Sequence, residues 1–316
     1  MYKKKRKSRK KKIKILILEM LLTVGLIASM VKMFTHQPAQ GIAEEVKGDT
    51  VNTDFDLSTL SSQHVFLMRR EDGKVLLNLK GEEKIYPASM TKIMTVMLAA
   101  EQTGNPMKEV RLPDDFQRLY ESNASMAGFS PGETVTTEDL FYGALLPSGA
   151  DACLGLACEV SGSEEMFTDL MNKKAKELGL SHTHFTNADG LHDMDHYSTA
   201  KEIALLLDKA LDEPEFYKVF TSKSYLTSKS TSHPDGIWMS STLFDQLDTS
   251  TFPSGELLGG KTGYTDEAGL CLASLAVIDG QEYILVTAKA PGSHQTEPLH
   301  IMDAVSIYTD FMRPVE

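Results

Sequence analysis

Ser89 and Lys92 stand three residues apart at the head of an apolar run that extends to Ala100, just after Ile85-Tyr86-Pro87-Ala88. The residue before a proline is pushed toward extended backbone, so this stretch reads as a strand-like segment ending near Pro87 and a buried helix from Ser89 onward. Ser89 then lies in the first turn, and Lys92 is on the same face. A serine hydroxyl is a weak nucleophile until a neighbouring base takes its proton. A lysine in a desolvated cleft, close to other cations, has a lowered pKa and can be that base. The helix N-terminus favours the negative charge that develops. On this motif alone, Ser89 reads equally well as an ordinary N-cap and Lys92 as a solvated surface lysine.

Serine-x-x-lysine occurs four times, at Ser8/Lys11, Ser29/Lys32, Ser89/Lys92 and Ser198/Lys201. Ser8 lies in a basic tail and Ser29 in an apolar segment, so neither is expected to line a folded cleft. Ser198 opens an apolar-periodic helix in which Thr199 and Glu202 predict a capping box. Two further triplets can complete a site around Ser89. Lys261-Thr262-Gly263 offers a cation and a hydroxyl to a substrate carboxylate, and its glycine lets a peptide backbone approach an edge strand; the same tripeptide also suits a surface turn. Ser148-Gly149-Ala150 lies between them in sequence.

The elements that must position these residues follow a simple order. Asp72-Gly73 separates apolar runs 64–70 and 74–79, and Asp279-Gly280 separates 269–278 and 281–289; Asp-Gly between apolar strands is a strong hairpin signal. The Lys261 segment can add a fifth strand. Helical periodicity covers 89–103, 136–146, 150–160, 163–178 and 199–211, with a terminal helix over 300–312. Strands at both ends and helices between them predict an α+β domain: one antiparallel five-stranded sheet covered by helices, with a helical subdomain inserted.

Residues 1–14 carry ten Lys/Arg and no acid, and Ile15–Val31 is largely apolar, with Glu19 its only charge. Seventeen helical residues span roughly 26 Å, close to a bilayer core. The expected layout is a basic cytoplasmic tail (1–14), a transmembrane anchor (15–34), a polar linker (35–60) and a domain (61–316) outside the cell. The alternative is a cleaved signal peptide and a secreted domain. Beyond residue 34, 21 bases face 43 acids. Such a domain repels polyanions, which argues against nucleic acid as a partner. Cys153, Cys158 and Cys271 form no zinc-type pair, and read as small buried filler.

The surroundings of the triplets are more specific than the triplets. Pro87-Ala88-Ser89-Met90-Thr91-Lys92, Leu146-Pro147-Ser148-Gly149-Ala150-Asp151-Ala152 and Gly260-Lys261-Thr262-Gly263-Tyr264-Thr265 resemble the penicillin-binding serine D-alanyl-D-alanine carboxypeptidases. His184–Leu191 and His196–Ala200 add to the likeness, which runs from about residue 61 to the C-terminus. The resemblance implies a β-lactamase-like fold, removal of the terminal D-alanine from peptidoglycan stem peptides, and covalent inhibition by β-lactams. It implies no metal and no organic cofactor. It also implies roles: Ser89 as nucleophile, Lys92 as its base, Ser148 as proton relay to the leaving amine, and Lys261 orienting Ser148 and the substrate. Thr262 would bind the terminal carboxylate beside Gly263. The backbone N–H groups of Ser89 and Tyr264 would form the oxyanion hole.

Two departures stand out. Ala150 takes the place where the second motif usually ends in Asn, and its methyl cannot hydrogen-bond a substrate amide or Lys92. No Arg occurs between Lys261 and Met312, although relatives often place one beyond the third motif to help bind the carboxylate; Lys289 and His294 are candidates to replace it, with no sequence signal for either. Three rival readings remain. A β-lactamase needs a base for the deacylating water, and no Glu-x-x-Leu-Asn sequence is present. A metallopeptidase would draw on Asp189, His192, Asp193, Asp195 and His196, which crowd one loop. A penicillin-binding sensor would suit Ala150, because it acylates without efficient turnover.

Overall fold

The computed structural model describes residues 51–312. The basic tail, the apolar segment 15–34 and the first part of the polar linker lie outside the described residues. Among the described residues no helix is long and apolar enough to cross a membrane.

The frame is one antiparallel sheet. Its long strands are β1 (His64–Arg69), β2 (Val75–Leu79), β10 (Gly255–Thr265), β11 (Gly269–Ile278) and β12 (Gln281–Ala290). Three two-stranded ribbons lie outside it: β3 (Lys84–Ile85) with β6 (Ser198–Thr199), β4 (Glu109–Arg111) with β5 (Thr134–Thr136), and β7 (Ser224–Leu226) with β8 (Trp238–Ser240). The order across the sheet is β2-β1-β12-β11-β10 and then a short edge strand, so it has six strands among the described residues, where the sequence predicts five. The extra edge strand β9 (Thr251–Phe252) has two residues, too few to show any alternation.

Both Asp-Gly hairpins form. Asp279 and Gly280 both have positive φ, +50° and +79°, the signature of a tight I′ turn between β11 and β12. The first hairpin is looser, with residues 70–74 between its strands and Gly73 at φ +70°.

Alternation along β1 sends Phe66 and Met68 to one face of the sheet and Val65 and Leu67 to the other, each into its own apolar core. The larger core lies under the helices α1 (Lys92–Thr103), α2 (Gln117–Glu121), α3 (Thr137–Leu145), α4 (Ala150–Ser161), α5 (Glu164–Glu177), α6 (Ala200–Ala210) and α7 (Pro214–Phe220). Helix α1 is its axis: every residue from Lys92 to Ala99 is buried, and Gly104 ends it at φ +59°. The smaller core packs α8 (Leu299–Ser306) and a π turn (Ile307–Phe311) on the opposite face.

Four further features differ from the sequence reading. Residues 51–60 do not hang free as a linker: Val51, Phe55, Leu57 and Leu60 pack on the smaller core, and the Asn52 N–H donates to the Phe311 carbonyl at 2.7 Å. Helices α2 and α7 fall in stretches too short to show periodicity, although Pro214 at the start of α7 is a start signal. The box expected at α6 is half made. Thr199 accepts the Glu202 N–H at 3.0 Å, but the Glu202 carboxylate turns instead to the His182 N–H and the Thr183 hydroxyl. The terminal helix widens into the π turn after Ser306.

Candidate active site

Ser89 sits in a 3-10 turn, Ala88–Thr91, that feeds directly into α1, where the sequence reading places the first turn of the helix. The turn starts from Ala88 at φ +47°, an uncommon conformation for a residue with a Cβ. Gly190 lies against it: a Cβ there would fall 1.9 Å from the Ala88 carbonyl oxygen. The turn therefore depends on glycine across from it.

Lys92 is 2 % exposed. Its Nζ donates to Ser89 Oγ at 2.8 Å and to the Asp189 carbonyl at 2.5 Å. The loop that supplies this carbonyl is bonded at nearly every residue. The Thr95 hydroxyl donates to the Ala188 carbonyl (2.7 Å), and the Asn187 side chain spans the Gly190 N–H (2.7 Å) and the Leu191 carbonyl (2.9 Å). The Asp189 carboxylate accepts the Leu191 N–H and meets Arg118, which also holds Glu164 at 2.9 Å.

Ser148 enters from the loop before α4. It is 5 % exposed, has φ +67°, and its Oγ has no hydrogen-bond partner among the described residues. Its loop is pinned by neighbours: the Gly149 N–H donates to the Gly143 carbonyl (2.8 Å), and the Ala150 N–H to the Ser125 carbonyl (2.7 Å). Asp151 accepts the N–H groups of Ala127, Gly128 and Phe129 at 2.8–3.0 Å. Burial pushes the Asp151 carboxyl up, against the pull of these donors. Ala150 is buried in the larger core, so its methyl packs at the start of α4.

Lys261 and Thr262 come from β10. Lys261 is fully buried, and its Nζ donates to the Thr262 carbonyl at 2.8 Å. Desolvation first, and the charge of Lys92 second, hold its ammonium well below the ordinary lysine range. Thr262 is half-buried, and its Oγ1 meets Thr242 Oγ1 at 2.6 Å. At Gly263 a Cβ would stand 3.0 Å from the Ser89 nitrogen, which shows how closely β10 approaches the nucleophile turn. Along β10 only Gly255 and Glu256 pair with β9, so the edge from Gly259 to Thr265 has no strand beside it among the described residues. Tyr264 is half-buried, its hydroxyl on Asp266 and its ring 4.9 Å from His294.

The structure brings Ser89, Lys92, Lys261 and Gly263 close together where the helical layer meets β10, and it ties the segment of Ser148 to this strand through Thr242, which bonds both Leu146 and Thr262. The arrangement can polarise a hydroxyl, carry a proton between amines, and line a bound peptide along an open strand edge. The residues of the rival metal reading point elsewhere. His192 stands against the Tyr86 ring, Asp193 accepts the Asp195 N–H, and His196 is buried between Thr186 and Thr91. Among the described residues no three such side chains converge. Lys289, a proposed stand-in for the missing Arg, is exposed in a bulge at φ +59°. Cys153 lies near Lys92 and Lys261 in full burial, which pushes its thiol up to about 12 and leaves it inert at neutral pH.

Three residues at the site escape the sequence reading. Asp151 directly follows the second motif and is the first-turn acid of α4, a signal that was readable. Thr242 and Arg118 carry no local signal.

Comparison with known proteins completes the picture. Residues 49–292 match the family model of the D-alanyl-D-alanine carboxypeptidases, peptidase family S11. The chain belongs to this family. It is 36 % identical over 244 residues to the D-alanyl-D-alanine carboxypeptidase DacF of Bacillus subtilis, a match covering 75 % of this chain and 60 % of that protein. With DacC of Escherichia coli it shares 34 % over 218 residues, covering 65 % of this chain and 51 % of the relative. The chain therefore spans between half and two thirds of the length of these relatives. The crystal structure of the Streptomyces K15 DD-transpeptidase superposes with a TM-score of 0.68 at 26 % identity, covering 79 % of this chain and 96 % of that one. In this carboxypeptidase family member the mixed fold and the six-stranded antiparallel sheet are those of a DD-peptidase.

Proposed function

We propose that the chain is a serine D,D-carboxypeptidase that removes the terminal D-alanine from peptidoglycan stem peptides. The observation that carries this reading is the 2.8 Å contact of Lys92 Nζ with Ser89 Oγ, in a cleft whose other wall is the buried Lys261 and the open edge of β10. Ser89 Oγ attacks the carbonyl of the penultimate residue while Lys92 takes its proton. The N–H groups of Ser89 and Tyr264 receive the oxyanion, and Ser148 passes a proton to the departing D-alanine amine. Water then hydrolyses the ester and restores Ser89. Lys261 orients Ser148 and the substrate, and Thr262 binds the terminal carboxylate. A β-lactam offers a carbonyl and a carboxylate in a similar relation and leaves its acyl group on Ser89. The scheme needs no metal or organic cofactor.

A second reading, transfer of the acyl group to an amine instead of water, is supported by the match across 96 % of the Streptomyces DD-transpeptidase. Both readings share the acyl-enzyme. The ten bases of residues 1–14 and the apolar run after them support a single N-terminal anchor, with the peptidase domain outside the cell.

The test is a pentapeptide ending in D-alanyl-D-alanine, with and without a chelator and an added amine, alongside mass mapping of a labelled penicillin. D-alanine release should be unaffected by the chelator, and the adduct should sit on Ser89. Ser89→Ala should lose turnover by roughly a thousandfold or more. An adduct on Ser198, or no release from the pentapeptide, would overturn the reading.

A further inference from the structure

The carboxylate end of the cleft is short of cations. Lys261 is fully buried, with its Nζ aimed at the Thr262 carbonyl, and no Arg follows it before Met312. Lys289 is exposed in its bulge, and His294 lies against the Tyr264 ring. What the site presents there is a pair of hydroxyls, Thr262 Oγ1 and Thr242 Oγ1, 2.6 Å apart and both half-buried.

Thr242 is held from both sides. Its N–H donates to the Leu146 carbonyl at 3.1 Å, in the segment that carries Ser148. Its own carbonyl accepts the Gln246 amide at 2.6 Å. One residue therefore ties the loop of the second motif to the strand of the third. Two hydroxyls in contact share one proton and leave one free. If Thr262 donated to Thr242, an arriving carboxylate would meet a lone pair. If Thr242 donates, the Thr262 proton is free to bond the carboxylate, and the upstream donor polarises that bond.

We propose that Thr242 is a positioning residue: its hydroxyl donates to Thr262 Oγ1 and turns the Thr262 proton toward the terminal carboxylate of the substrate. The inference rests on the carboxypeptidase reading above, and it extends the recognition of a free carboxylate to a residue outside the three motifs.

The test compares wild type, Thr242→Val and Thr242→Ser on a pentapeptide with a free terminal carboxylate and on its amide. Thr242→Val keeps the shape and removes the hydroxyl. It should raise KM for the free acid about tenfold, leave kcat within about twofold, and leave the amide unchanged. Thr242→Ser should restore the wild-type preference. Thermal melting checks folding, and Thr242→Ala replaces the valine variant if that one does not melt cooperatively. Failure of wild type to release D-alanine from either peptide would overturn the carboxypeptidase reading itself. Wild-type release with an undiminished preference in the hydroxyl-free variant would overturn this inference alone. So would an equal loss in the serine variant, which would mark a purely structural role.

Discussion

Ser89 and Ser148 stand on turns, and Lys92 opens α1, where the surrounding backbone is bonded on nearly every side, whereas Lys261 to Tyr264 stand on a strand with one edge open. In the helical wall, glycine at 190, the side chain of Asn187 and the carboxylate of Asp151 fix the loops from behind. The strand wall takes its order from β11 alone over most of its length. The contrast separates two jobs. Reacting atoms must be held to within a fraction of an ångström, so they sit where the backbone is over-determined. A peptide ligand needs unpaired backbone groups, so it is met by a free edge.

The contrast can be broken first at Gly190. Gly190→Ala places a Cβ where the Ala88 carbonyl stands and adds strain at φ +85°, so the nucleophile turn must shift. A displacement of about 1 Å at Ser89 should cost a hundredfold or more in acylation by labelled penicillin, measured on protein that still melts cooperatively. Unchanged acylation would show that the helical wall tolerates movement.

The next test sharpens the same wall through pH. The Thr186 N–H points at His196 Nδ1, which must therefore stay unprotonated, while Nε2–H donates to Thr91 Oγ1. Burial holds this imidazole at about 4, against 6.5 for the free side chain. Above 6.5 both folded and unfolded states are neutral and stability does not depend on this group. Between 6.5 and about 4 only the unfolded chain takes up the proton, so stability falls as pH falls, by on the order of 3 kcal/mol across the window. His300, on the other face of the sheet, is held at about 4 in the same way. Denaturant titrations from pH 7 to 4 should thus show a slope roughly halved in His196→Gln. A slope that survives intact would place the proton uptake elsewhere.

The smallest expected effect lies on the strand wall. Thr262→Val removes one charge-assisted hydrogen bond and should lower kcat/KM for the free-acid peptide by about tenfold to a hundredfold, or roughly 1.5–3 kcal/mol, with little change for the amide. Equal losses on both peptides would mean that Thr262 supports the strand and does not read the carboxylate.

What could be read from the sequence was what is local. Each motif is a few residues long, and the two Asp-Gly turns announce their hairpins because aspartate and glycine tolerate positive φ. What stayed hidden depends on distant partners. Thr242 meets a residue 20 positions on, Asp151 caps a loop 22 to 24 positions back, and Arg118 reaches Asp189 across 71. Composition also misled. The polar stretch up to residue 60 hides four spaced apolar residues that pack on the smaller core, and no periodic pattern marks them.

That packing brings the two ends of the described chain together. Asn52 bonds to Phe311, and the Phe55 and Phe311 rings meet edge to face at 5.8 Å, on the sheet face turned away from α1. A new peptide link between these neighbouring ends, with fresh termini opened at an exposed loop tip such as Asp279-Gly280, should give a circular permutant that keeps the cleft. The same proximity has a mechanical side. A pull applied at residue 51 is delivered first to the π turn and α8, and only through the sheet to the nucleophile.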